Sequence, residues 1–127
     1  MLTVRRAFSG FSVDDLDVAE RFYRDTLGLK ATRTPMGLEL DVTSGSPVFV
    51  YPKGDAHEPA SYTVLNLIVP DIEAAAASLA SAGIPLERYP GFHQDADGIV
   101  RSPDPAEGPT IAWFKDPAGN VLSIIAD

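Results

Sequence analysis

Two stretches of this chain are versions of one another. Residues 13–29 read VDDLDVAERFYRDTLGL and residues 69–84 read VPDIEAAAASLASAGI. Val13 matches Val69, Asp15 matches Asp71, Leu16 matches Ile72, Asp17 matches Glu73 and Ala19 matches Ala75; after a one-residue deletion, Gly28-Leu29 matches Gly83-Ile84. A repeat of this kind constrains the fold strongly, because each copy must build the same supersecondary unit. Both copies read as helices. Asp14 or Asp15, and Asp71 in the second copy, can accept the unpaired N–H groups of a first turn and suit its positive end. Leu16, Ala19, Tyr23 and Leu27 recur at helical spacing, as do Ile72, Ala75, Ala76 and Leu79. Gly28 and Gly83 stand where a left-handed residue closes a helix.

A strand is expected before each helix, over residues 4–13 and 62–69. After the first helix the pattern predicts strands near 29–34, 37–42 and 47–51, with turns at Thr34-Pro35 and Ser44-Gly45-Ser46. After the second it predicts them near 86–89, 98–102 and 110–115, and 121–125 closes the chain. Asp116-Pro117 sets the first turn dihedrals and Gly119-Asn120 tolerates positive φ, which makes a hairpin of the last two. The pattern is βαβββ, twice: an α+β chain, expected to be a single domain over 1–127, with module one at about 4–52 and module two at about 61–126.

A 127-residue chain buries about two thirds of its unfolded surface, enough for a core without staples. The net charge of −8, with Arg5-Arg6 the only adjacent basic pair, argues against nucleic acid as a partner. No apolar run approaches the ~20 residues that span a bilayer, so no membrane partner is expected. The opening MLTVRRAFSG lacks the order of a signal peptide, and the expected location is cytoplasmic. Without cysteine, thiolate chemistry and Cys-based metal sites are excluded.

The paired modules, with VDDLDVAERFYRDTLGL after strand one and FKDPAGN before the last strand, resemble the vicinal oxygen chelate superfamily of glyoxalase I, extradiol dioxygenases and the fosfomycin- and bleomycin-resistance proteins. The resemblance covers about residues 4–126. It implies a curved, barrel-like mixed sheet with helices on the outer face, and a homodimer. In metal-using members each module supplies two ligands: a His five residues before the valine that precedes the helix, and a Glu after the DPxGN turn. The corresponding places here are Phe8 and Val64 for the histidines, and Ser123 with its repeat mate Phe49 for the last-strand position. Imidazole or carboxylate is what divalent metals of such sites require. The expectation is no metal and no cofactor.

Alternation along the strands assigns faces. Val64 shares a side with Asn66 and Ile68, Phe8 with Gly10 and Ser12, and Phe49 with Tyr51, while Phe11, Val13, Leu65 and Leu67 turn toward the helices. Aromatic walls with few polar groups suit a small-molecule pocket, with Asn66 as its floor. The irregular stretch YPGFHQDADGIVRSPDPAEGP, residues 89–109, is expected to carry Phe92 and His93 over the mouth. One of Trp113 and Phe114 should also wall the pocket. The expected ligand-binding set is Phe8, Phe49, Tyr51, Val64, Asn66, Phe92, His93, Trp113 and Ser123.

Two functions of different kind follow from these residues. The first is a metal-free protein that binds a small ligand, with the acidic charge favouring a cationic one and the rings an aromatic one. The second is a metal-independent lyase or isomerase using His93, Tyr51, Asp95 or Arg88 for proton transfer. His57, in the loop KGDAHEP, reads as solvated. A third reading, a structural or interaction protein, requires the pocket to be closed.

Overall fold

A computed structural model describes residues 1–42 and 45–127. The expected turn at Ser44-Gly45-Ser46 lies in part outside the described residues. The chain divides into two compact units, Met1–Pro59 and Ala60–Asp127, and each builds its own sheet.

The first unit contains β1 (Gly10–Val13), α1 (Leu16–Arg21), β2 (Lys30–Thr34), β3 (Gly37–Asp41) and β4 (Val48–Pro52), in the sheet order β1-β4-β3-β2. β1 runs parallel to β4, and the other neighbours are antiparallel. Asp15 is the N-cap, accepting from the N–H groups of Asp17 and Val18. Beyond Arg21 the helix widens into a π turn, Phe22–Thr26, closed by a bond from Leu27 N–H to the Phe22 carbonyl, and Gly28 follows at φ 73°. The wider turn lets the adjacent Phe22 and Tyr23 both point inward, where they meet edge to face. Leu16, Ala19, Phe22 and Tyr23 form the core of this unit with Phe11, Val13, Ala31, Leu38, Leu40 and Val50.

β1 starts later than the sequence predicts, at Gly10 rather than near residue 4. Its ladder to β4 begins at Gly10 opposite Phe49. Two residues back along that register, Phe8 would face Pro47, which has no N–H to donate. Residues 1–9 are exposed.

The second unit contains β5 (Thr63–Val69), α2 (Ile72–Ser81), β6 (Ile111–Lys115) and β7 (Val121–Ala126), in the order β5-β7-β6. Asp71 caps α2 through a bond from Ala74 N–H, and Gly83 closes it at φ 76°. Ile72 and Leu79 pack with Ile99, Ala112, Phe114, Val121, Leu122 and Ile124. The DPAGN turn is tied tightly: Asn120 N–H and side-chain amide donate to the two Asp116 carboxylate oxygens at 2.8 and 3.1 Å, and Asn120 Oδ1 accepts from Ala60 N–H at 3.2 Å.

The expected strands at 86–89 and 98–102 do not form as strands. Pro85 and Pro90 bracket the first, and a prolyl nitrogen cannot join a ladder. These segments keep a bond from Glu87 N–H to the Trp113 carbonyl at 2.7 Å and bridges of Val100 with Gln94 and with Ile111. Among the described residues the fold is therefore mixed α+β with two α-helices, each on one face of its own sheet. Among the described residues no helix is long and apolar enough to cross a membrane.

Candidate functional site

In the first unit, alternation leaves one sheet face to the core and the other open. Phe11, Val13, Leu38, Leu40 and Val50 are buried against α1; Gly10, Ser12, Glu39, Phe49 and Tyr51 occupy the other side. Register places Glu39 and Gly10 on either flank of Phe49, and Ser12 beside Tyr51. Three rings gather here. Phe49 stacks on Tyr51 at 6.1 Å and 17°, and Phe8 meets Phe49 edge-on at 6.2 Å and 79°. Phe8 is 69% exposed and Tyr51 38%, so the cluster is presented to solvent rather than packed away.

The backbone beneath the rings is glycine for a steric reason. A Cβ on Gly37 would stand 2.9 Å from the Phe49 ring and closer still to the Val50 carbonyl, and one on Gly10 would stand 2.9 Å from the Phe49 carbonyl. A groove of about 610 Å³ runs along this side, lined among others by Phe8, Phe49, Met36, Glu39, Arg6 and Pro47. His57 is half-buried rather than solvated, with Nδ1 2.8 Å from Ser12 Oγ.

In the second unit the open face carries two rows. Asn66, Ser123 and Trp113 stand in line across β5, β7 and β6, followed by Ile68, Ile125 and Ile111. Trp113 is thus on the open side and Phe114, fully buried, on the core side. The Ser123 hydroxyl donates to Asn66 Oδ1 at 2.6 Å. Val64 falls where the register shifts between Thr63 and Leu65, so it has no Cα partner on β7 and the alternation that would set its side is interrupted there.

The long loop of this unit is held by its own polar side chains. Gln94 Nε2 donates to the Glu87 and Gly98 carbonyls at 2.9 and 2.7 Å, and its Oε1 accepts from Tyr89 N–H at 2.8 Å. One amide thereby replaces the ladder bonds of the missing strand. Arg88 donates to the Asp95 and Ala96 carbonyls. Asp95 accepts from the N–H groups of Asp97 and Ile99 and from Arg101 Nε. The Ile99 N–H and then the Arg101 guanidinium hold the Asp95 carboxyl below the usual carboxylate range. Burial, and then the Glu87 charge, push the Tyr89 phenol up.

Phe92 and Tyr89 pack on Trp113, with ring centroids at 5.0 and 5.4 Å, so this part of the loop lies on the open face of its own sheet. His93 follows Phe92 and is exposed. The structure thus groups Phe8, Phe49 and Tyr51 in one unit, and Asn66, Ser123, Trp113 and Phe92 in the other. Arg88 and Asp95 are engaged in holding the loop. Sequence reading missed Glu39, Met36 and the Ser12–His57 bond; the period-two alternation of β3, read outward from Gly37, would have found Glu39.

The family model of the Glyoxalase/Bleomycin resistance protein/Dioxygenase superfamily matches residues 7–124. The chain belongs to this superfamily. Among solved structures it is similar to TnmS3, an antibiotic binding protein from Streptomyces sp. CB03234 (21% identity, 99% of this chain and 98% of that chain, TM-score 0.68). It is also similar to the oxidase ChaP-H2 (21%, 99% and 95%, TM-score 0.70) and to a lactoylglutathione lyase from Agrobacterium tumefaciens (20%, 98% and 94%, TM-score 0.67). These likenesses carry the fold alone. No curated protein matches the chain in sequence.

The metal chemistry of some superfamily members needs a donor set that these residues do not supply. Phe8, Phe49 and Val64 have no donor atom on the side chain, and the Ser123 hydroxyl is committed to Asn66. Among the described residues no group of three or more His, Asp or Glu side chains could hold an ion.

Proposed function

We propose that this protein is a metal-free binding protein for a small ligand with a planar aromatic face, acting as one domain built from the two modules and as a cytoplasmic homodimer. The observation that carries the proposal is the ring cluster of module one: Phe49 stacks on Tyr51 and meets Phe8 edge-on, on an open sheet face, and Phe8 and Phe49 stand at two of the four places where the family resemblance puts metal ligands. Stacked aromatic side chains bind planar rings through dispersion and quadrupole contacts with little dependence on ring substituents. The groove of about 610 Å³ beside them is of the size small-molecule sites have, which opposes an interaction role with the face closed. Within the second module, Val64, Asn66, Trp113, Phe92 and His93 offer a ligand surface of that unit's own, with Asn66 as its polar group and the buried Ser123 hydroxyl bonded to it.

The alternative of a metal-independent lyase or isomerase is weakened by the commitments of Arg88 and Asp95 to the loop backbone. His93 and Tyr51 alone leave no paired acid and base with a positioned partner.

The test is a calorimetric titration of the full chain with acridine, a neutral planar probe in mildly alkaline buffer. Saturable binding is expected, weakened by about five- to a hundredfold in Phe49→Ala, the range that loss of one stacking partner covers. Absence of saturable binding, or binding indifferent to Phe49→Ala in a variant whose circular dichroism is unchanged, overturns the reading.

A further inference from the structure

The aromatic face of module one has a charge built into it that the rings alone do not explain. Glu39 stands directly opposite Phe49 in the β3–β4 ladder and lines the same groove as Phe8 and Met36. Its neighbours on that face are otherwise neutral or already paired: Thr32 faces it from β2, and Lys30 is bonded to Asp41 at 3.7 Å. Arg33, the other cation of β2, points to the opposite side, where it is shared by Asp17 and Glu20. Among the described residues Glu39 makes no ion pair, although it is exposed. Among the described residues Arg6, on the segment before β1, is the cation that lines the groove with it.

A carboxylate next to two stacked rings is the arrangement that recognises a positive charge on a flat ligand. The π faces carry negative quadrupole and attract a cation placed over them, and the carboxylate adds a full charge at the edge. A neutral ligand would gain nothing from Glu39, and an anionic one would be repelled by it and by the −8 charge of the whole chain. From this juxtaposition we infer that Glu39 is the specificity-determining residue of the module-one groove, and that the ligand it selects is a cationic aromatic: a planar ring system carrying a permanent or protonated nitrogen. The inference rests on the aromatic-binding reading above and deepens it. Arg6 acts against the cation, so its removal strengthens capture.

The experiment compares two probes of one shape, 10-methylacridinium and acridine, in mildly alkaline buffer where only the first is charged, by equilibrium dialysis against wild type, Glu39→Gln and Arg6→Gln. Wild type is expected to prefer the cation by about five- to thirtyfold, the range of a partly exposed cation–π contact with charge assistance. Glu39→Gln should abolish most of that preference by weakening the cation far more than acridine, and Arg6→Gln should raise it. Equal binding of both probes by wild type overturns the charge selection and leaves aromatic binding standing. A preference that survives Glu39→Gln but collapses in high salt overturns the role of Glu39 and assigns selection to the net charge. Failure of both probes to bind overturns the aromatic-binding reading itself.

Discussion

The hydroxyl of Ser123, fully buried on β7, donates to Oδ1 of Asn66 on the neighbouring β5 at 2.6 Å. The position that the family resemblance aligns with a metal-binding glutamate is thus part of a closed side-chain pair. The two ends of the bond are not equivalent. Asn66 is exposed and can turn to water, whereas Ser123 cannot. Asn66→Leu therefore leaves a buried hydroxyl unsatisfied and should cost about 1–3 kcal/mol. Ser123→Ala should cost less, about 1 kcal/mol or under. The double variant Asn66→Leu/Ser123→Ala should be more stable than Asn66→Leu alone, because the orphaned group is gone. Urea unfolding of the four proteins measures this; strict additivity of the two single changes would deny the coupling.

Phe49 keeps its place because β3 has no side chain at Gly37, over which the ring lies. Gly37→Ala would drive a methyl into the Phe49 ring and the Val50 carbonyl, and backbone cannot yield as a side-chain tip can. A loss of about 1–3 kcal/mol is expected, the range of overpacking. Probe binding should weaken in the folded fraction as well. An alanine variant with unchanged stability and binding would mean that the ring does not lie over β3.

Gln94 should behave as a piece of missing strand. Gln94→Ala removes its bonds to Glu87, Tyr89 and Gly98, and the expected cost is about 1–3 kcal/mol, confined to the loop. Hydrogen exchange at Tyr89 and Ile99 should rise while α1 and its sheet keep their protection. Uniform protection across the chain would contradict it.

Much of this was legible in the sequence because it rests on local rules. Asp15 and Asp71 cap where short acceptors should, Gly28 and Gly83 take positive φ where helices end, and the repeat announced the two modules. The bounds of β2 to β7 were found within a residue or two, whereas β1 starts six residues later than expected. The sequence was least informative where a side chain does the backbone's work. Residues 86–89 have strand composition, but prolines on both sides and the Gln94 amide turn the segment into a loop that bonds without a ladder. The open faces were read correctly for Phe49 and Asn66, since alternation is strict there. It is interrupted at Val64 by the register shift, which period-two counting cannot foresee. Arg88 and Asp95 looked like acid–base groups because their backbone partners lie several residues away in the loop.

The loop should loosen in acid. The carboxyl of Asp95 is held below its ordinary value by the Ile99 N–H and by Arg101, so its contribution is present above the unfolded value of about 4 and is lost as pH falls through the folded value. Phe92 and Tyr89 touch Trp113, the single tryptophan, so near-ultraviolet circular dichroism reports the loop. That signal should fade below about pH 4. In Asp95→Asn it should already be reduced at neutral pH, with a weaker acid dependence. An identical acid transition in both proteins would place the sensitive group elsewhere.

The central claim is that rings have taken over from metal at this site. Its most direct measurement is one calorimetric titration of 10-methylacridinium into protein stripped with chelator, repeated after adding Zn²⁺ or Ni²⁺, with elemental analysis of the protein as purified. The account predicts well under one metal per chain, the same saturable affinity in both titrations, and no metal-restored isomerisation of the glutathione–methylglyoxal adduct, since no Lewis acid is held to stabilise the enediolate. One tightly held ion per chain, with probe binding or turnover that appears only when it is present, would contradict the account.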